Sequence, residues 1–142
     1  MSIQTAALVF GIVFAIVGFV GFYPAPPPPD APPLVLEHGH GLALRMFPVN
    51  TVHNVVHLLF AILGIAAWGS GRGRGYFRFL AVSYALLTVM GVAAATNTTF
   101  GYIPIWGNDV WLHGAVALAA LYFGWVHGSE GLGTHAPTAH RA

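Results

Sequence analysis

The sequence predicts an all-α fold: a four-helix transmembrane bundle with a long outer loop between the first and second helices. Three observations predict it. Hydrophobic residues make up 56% of the 142 positions and charged residues only 6%, far below the roughly 25% charge of a soluble domain, so lipid must cover most of the surface. Four segments reach the roughly 20 mostly apolar residues that cross a hydrocarbon core of about 30 Å at about 1.5 Å per residue. Each of the four then stops at a helix-breaking residue.

The first predicted helix runs over about 4–22, without a charge, and stops before Pro24. The second covers about 49–68, up to Gly69, and the third about 76–96, up to Asn97. The fourth covers about 108–127, up to Gly128. Asn50 opens the second and Asn108-Asp109 the fourth, side chains that cap free backbone N–H groups. The first segment is read as a retained helix and not a secretory signal. Met1 to Thr5 has no positive charge, and Pro26 to Pro29 stand where small cleavage-site residues belong. Residues 1–128 thus form one membrane domain, and the polar, Gly-rich stretch 129–142 reads as a disordered cytoplasmic tail.

Orientation follows from arginine. Arg72, Arg74 and Arg78 gather at the turn between helices two and three, and the opposite side offers only Arg45. The positive-inside rule puts that turn in the cytoplasm of a bacterial plasma membrane, with both termini beside it and two loops outside. The longer outer loop starts as a proline-rich stretch (Pro24, Pro26 to Pro29, Pro32, Pro33), expected to be extended polyproline II. Its second part, Leu34 to Phe47, is apolar with scattered polar groups and suits a short helix lying on the interface. Ala7, Gly11, Ala15 and Gly18 on helix one, with Ala115 and Ala119 on helix four, are spaced for close backbone approach. Trp68, Trp106, Trp111, Trp125, Tyr23, Tyr76 and Tyr102 fall at helix ends and read as interfacial belts.

Several classes of function are excluded. The net charge of +1 and the scattered arginines give no surface for nucleic acid. No cysteine is present, which removes disulfides, thiolate ligands and iron–sulfur clusters. No phosphate-cradling loop, dinucleotide fingerprint or Ser-His-Asp order is found. No charged residue lies near the middle of a helix, as proton-coupled transport or ion conduction would need.

One polar cluster stands out. Helix two opens Asn50-Thr51-Val52-His53-Asn54-Val55-Val56-His57, and helix four opens Asn108-Asp109-Val110-Trp111-Leu112-His113. His53 with His57, and Asp109 with His113, are each four residues apart and share a helix face. Both helices start from the outer side, so His57 and His113 lie at similar depths, roughly 10 and 8 Å down their axes. Ionisable groups in a spanning helix face the bundle interior, where they find partners. Three chemistries fit the cluster. One is a structural core in which histidine donates to Asp109, Asn54 or Asn97. The second is a Zn, Fe or Cu ion on His53, His57 and His113, with Asp109 as ligand or orienter. The third is haem b held between His57 and His113. His38 and His40, in the outer loop, are candidate accessory ligands or a lid. Asn54 stands where a zinc protease of the His-Glu-x-x-His type has its Glu, so protease chemistry is not supported.

The stretch from Phe47 to Phe60 (FPVNTVHNVVHLLF), the stretch from Phe100 to His113 (FGYIPIWGNDVWLH) and the Tyr76-Phe77-Arg78 start of helix three are similar to the signature of a small bacterial family. That family consists of four-helix integral membrane proteins catalogued as a domain of unknown function. The resemblance covers nearly the whole chain apart from the tail and the proline-rich run, which is longer than the family pattern. It implies the four-helix topology and supplies no activity. The expectation is therefore a membrane protein whose cluster binds a metal ion or fixes a polar core, without turnover and with no catalytic residue assigned. An accessory subunit of a larger respiratory or photosynthetic complex is the alternative, and a haem or metal-dependent enzyme the third reading. Partners open to it are the lipid bilayer, a homo-oligomer or a larger membrane complex.

Overall fold

The computed structural model describes residues 1–128, so the expectation for the 129–142 tail lies outside the described residues. Helix α1 spans Ile3–Val20, α2 Thr51–Gly69, α3 Gly73–Val92 and α4 Asn108–Leu121, the last continuing as a π-helical turn at Tyr122–Val126. All four are long and apolar enough to cross a membrane. Their large apolar side chains point outward: Ile12, Ile16 and Phe19 of α1, Ile62 of α2, Val82 and Val89 of α3 and Leu118 of α4 are all exposed. A surface of this kind is stable only against lipid.

α1 packs chiefly on α2, and α3 on α4. The first pair meets through glycine: a Cβ on Gly64 would lie 2.9 Å from the Ala7 carbonyl oxygen and 3.0 Å from Gly11 Cα. Gly18 in turn sits against Leu58 and the Asn54 carbonyl. The buried stripe on α1 is Ala7, Gly11, Phe14 and Gly18, so Phe14 takes the place expected of Ala15, which is half-buried. Between α3 and α4 the close approach is made by Ala120 and by Gly124, which lies on the Arg78 backbone. Ala115 is exposed, so the spacing expected of Ala115 and Ala119 does not serve the interface. The core between the pairs is mainly aromatic, with Phe14, Phe60, Phe77 and Tyr84 buried around Leu80.

The two ends of the bundle are closed differently. At the arginine-rich end, the Gln4 amide donates to Gly71 O at 3.4 Å and the His127 ring lies 3.1 Å from Met1 O. Arg74 Nη2 donates to His127 O at 3.1 Å, and Arg78 Nε donates to Gly124 O, also at 3.1 Å. Arginine thereby supplies the donors that carbonyls at a helix C-terminus lack. Of the aromatic residues expected in belts, Trp68, Trp111, Trp125, Tyr23 and Tyr102 are exposed. Tyr76 is buried instead and donates to Phe60 O at 3.2 Å.

The opposite end carries the loops, and here the structure departs from expectation. Leu34 to Phe47 forms no helix. Gly41–Ala43 (β1) pairs antiparallel with Phe47–Val49 (β2), and Ala25 bridges Leu42 on the outer side of β1. Gly39, Gly41 and Pro48 interrupt helical continuity. The hairpin turns through Leu44 and Arg45, both left-handed (φ 51° and 61°), which matches the twist of paired strands. Helix α3 ends at Val92, not near residue 96, because Ala93 takes an extended conformation (φ −89°, ψ 123°). Asn108 does not cap α4; it is the first helical residue, the cap position is Gly107, and its amide reaches toward Met46 O at 3.4 Å.

Asn50 is the knot of this end. It is fully buried, its Oδ1 accepts from His53 N at 2.9 Å, and its Nδ2 donates to Leu36 O at 2.9 Å and Tyr102 O at 2.7 Å. One amide thus caps α2 and pins both outer loops.

Two measurements test this packing. Gly64→Ala should lower stability in detergent by about 1–3 kcal/mol, the usual cost of overpacking, because its Cβ would meet backbone on α1. Gly75→Ala in α3 meets nothing within 4 Å and should be neutral or stabilising by up to about 1 kcal/mol. Equal effects of the two would contradict the glycine-mediated contact. Asn50→Asp keeps an acceptor for the His53 N–H but removes both donors. It should cost about 1–3 kcal/mol for each carbonyl left unpaired, read as a lowered unfolding midpoint.

Candidate metal centre

Helical spacing brings the polar groups of α2 and α4 to one level. His53 and His57 leave α2 on its inner face, with ring centroids 4.6 Å apart, and the His113 ring of α4 lies 6.1 Å from that of His53. One ring nitrogen of each of His53, His57 and His113 falls within 4.8 Å of the others. Asp109, one turn before His113, places Oδ2 3.4 Å from His113 Nε2 and 3.8 Å from His53 Nε2. All four side chains are at most 5% exposed.

The walls are aromatic. Phe14 of α1 stacks on His57 (5.9 Å, 20° between planes), and Tyr84 of α3 meets His113 edge-on at 5.0 Å. Every helix therefore contributes to the site. Sequence reading missed Phe14, Tyr84 and the loop-pinning role of Asn50. The signal for the first two was depth: Phe14 lies six residues and Tyr84 eight residues from the outer ends of α1 and α3, about 9 and 12 Å, near the level of His57. Fully buried Pro48, Pro104 and Ile105 close the site from outside.

A hydrogen-bonded polar core would join these groups to one another, and their contacts are loose. Asp109 Oδ2 stands at ion-pair distance from the Nε2 atoms of His113 and His53, and the His53 ring is within hydrogen-bonding reach of the Pro48 and Pro104 carbonyls. His57 Nδ1 and His113 Nδ1 are buried without a protein hydrogen-bond partner. Asn54 and Asn97, the other expected acceptors, also leave Oδ1 buried and unpartnered. Asn54 faces α1, where its amide fills the space a side chain at Gly21 would need. It belongs to the α1–α2 contact and not to the cluster.

The accessory histidines stay outside. His38 Nδ1 pairs with Thr51 Oγ1 at 2.8 Å, at the start of α2. His40 is half-buried in the outer loop, where burial lowers its pKa below the usual histidine value and Glu37 opposes the shift. Neither joins the three-histidine group.

Three neutral imidazoles beside a carboxylate make a donor set for a borderline-soft divalent ion, which takes nitrogen at about 2.0–2.1 Å. Two ligands of one tetrahedral ion then stand about 3.3 Å apart, close to the spacing of Asp109 Oδ2 from His113 Nε2. The residues also offer a second arrangement, in which the ion takes the Nδ1 lone pairs and Asp109 receives the Nε2–H groups of His53 and His113. A cavity of about 50 Å³ touching His57, His113 and Tyr84 has room for water to complete either one.

No curated protein and no solved structure matches the chain. A family match does exist, and it takes in all four helices together with both histidine-bearing segments. The chain belongs to the family described as domain of unknown function DUF4383, which matches residues 4–126.

Proposed function

We propose that this is a small metal-binding protein of the bacterial plasma membrane, a single membrane domain of residues 1–128. One ion sits on His53, His57 and His113, with Asp109 as fourth ligand or orienter. The observation that carries the reading is the buried three-histidine group, one ring nitrogen of each within 4.8 Å of the others, with Asp109 Oδ2 beside it and further ring nitrogens left without a partner. Polar groups in that state demand an ion or water. Zn²⁺ is the first ion to test, because it accepts three imidazoles and a carboxylate without an imposed geometry; Fe²⁺ and Cu²⁺ suit the same donors. Haem b suits them less. A macrocycle needs its two axial imidazoles on opposite faces, whereas these three rings converge side by side.

The test is elemental analysis with thermal melting in detergent. The wild type should carry one equivalent of metal and melt lower after chelation. At a ligand concentration of 100 times Kd, binding contributes about 2.7 kcal/mol. His57→Gln and His113→Gln should lose the ion and the chelator response together. Asp109→Asn should weaken affinity by about 10–100-fold if the carboxylate only orients histidine, and by more if it is a ligand. A metal-free wild type that ignores chelator, with all three variants melting alongside it, would leave a water-filled polar core as the correct reading.

Arginine supports the orientation. Arg72, Arg74 and Arg78 lie at the end of the bundle that also holds residue 1 and the α2–α3 turn, and under the positive-inside rule this supports a cytoplasmic side for that end. Single cysteines replacing Asp30 and Ser70 should then react with an impermeant maleimide from opposite faces, Asp30→Cys from outside. Labelling of both from one face would overturn the topology.

A further inference from the structure

Although a short turn joins α2 to α3, the two helices do not close on each other along the membrane. Two cavities lie between them and meet at Leu63 and Phe79. One, of about 300 Å³, lies beside the turn among Ala66, Ser70 and Arg72; the other, of about 180 Å³, continues past Leu59 to Val56. Tyr76 and Phe60 form the floor, joined where the Tyr76 hydroxyl donates to Phe60 O. The groove from Ser70 to Val56 is about 21 Å long at about 1.5 Å per residue, more than half of a hydrocarbon core of about 30 Å. Its rims, Leu59, Leu63 and Phe79, are exposed, so it opens sideways to lipid.

Charge distinguishes the end at the turn. Arg72 lines that end. Its side chain is exposed and has no partner among the described residues, whereas Arg74 and Arg78 donate to the Gly124 and His127 carbonyls. The acidic residues described, Asp30, Glu37 and Asp109, all lie toward the opposite end of the bundle. A cation thus stands at the mouth of an apolar groove with no described carboxylate near it to compete.

We infer that this groove holds one acyl chain of an anionic glycerophospholipid from the leaflet at the arginine-rich end, with the lipid phosphate on Arg72. Apolar walls take the chain, and a guanidinium can donate two parallel bonds to a phosphate. A zwitterionic lipid offers the same phosphate but brings its own cation toward Arg72, so the site favours a net negative head. Cavities of this volume spread over that length make a slot narrower than the about 10 Å of a helix, which suits a chain and not a partner helix. The inference rests on the α2–α3 groove alone and is independent of the metal centre.

The test is native mass spectrometry of the delipidated full chain in detergent, titrated with phosphatidylglycerol and with phosphatidylcholine of the same chains. The first phosphatidylglycerol should bind about fivefold tighter or more, the effect of about one cation near an anionic headgroup. Arg72→Gln should lower that preference about fivefold, and Arg45→Gln, at the other end of the bundle, should leave it unchanged. Ala66→Trp, which fills the groove, should weaken both lipids together. Arg72→Gln changes an exposed side chain and carries the comparison where Ala66→Trp fails to fold. Equal affinity for the two lipids, or equal effects of Arg72→Gln and Arg45→Gln, would overturn the proposal. So would a folded Ala66→Trp protein that binds lipid like the wild type, or a lipid-independent dimer that this substitution abolishes.

Discussion

A single buried amide sets the geometry on which the rest depends. Asn50 has no exposed surface, and all three of its hydrogen bonds are to backbone: the His53 N–H and the carbonyls of Leu36 and Tyr102. The cap fixes where α2 begins, and with it the depth of His53 and His57. The two carbonyls fix the outer loops, and Pro48 and Pro104 within those loops close the cluster from outside. No other side chain type does this at one position, since only a carboxamide offers an acceptor and two donors in so small a volume. Interchange with Asp or Ser would keep the cap and release the loops.

Magnitudes bear on what the cluster can be. Each buried polar atom left without any partner, water included, costs about 1–3 kcal/mol. A bound ion would offset that cost, since apparent affinities of structural zinc sites reach about 10–16 kcal/mol. Ordered water bridging the same atoms would offset it as well. The aromatic walls bear on the same choice: Phe14 and Tyr84 hold the imidazole planes of His57 and His113, and fixed rings favour ligation over a fluctuating wet core.

How much of this was legible in the sequence follows from the physics of each feature. The four spans were legible because lipid demands long apolar runs, and the depth match of His57 with His113 followed from counting residues inward from Asn50 and Asn108. The helix-one stripe was legible in period but not in partner, since spacing shows a face and cannot say whether Phe14 or Ala15 fills it. The hairpin was not legible. Leu34 to Phe47 has the composition of an interfacial helix, and it pairs as strands because Ala25 lies alongside to take the Leu42 bonds, a contact between distant residues. The misplaced cap at α4 has a local cause: Gly107 takes φ 64°, a left-handed conformation open to glycine, and the helix starts without a side-chain cap. Whether Asn54 joined the histidines or the α1 contact depended on Gly21, whose missing side chain makes room for the amide.

The bundle is therefore polar at one end and dry at the other, and the asymmetry bears on how anything reaches the cluster. Toward the arginine end, Phe10, Phe77 and Phe123 close the space between α1 and α4, with ring centroids 5.1 Å apart for the first two and 4.8 Å for the last two. Arg74 and Arg78 seal the same end by donating to the Gly124 and His127 carbonyls. A molecule or ion bound at His57 would have no polar path onward through that aromatic layer. Such an arrangement leaves the loop-bearing end of the bundle and the gap between α1 and α4 as the ways to the cluster.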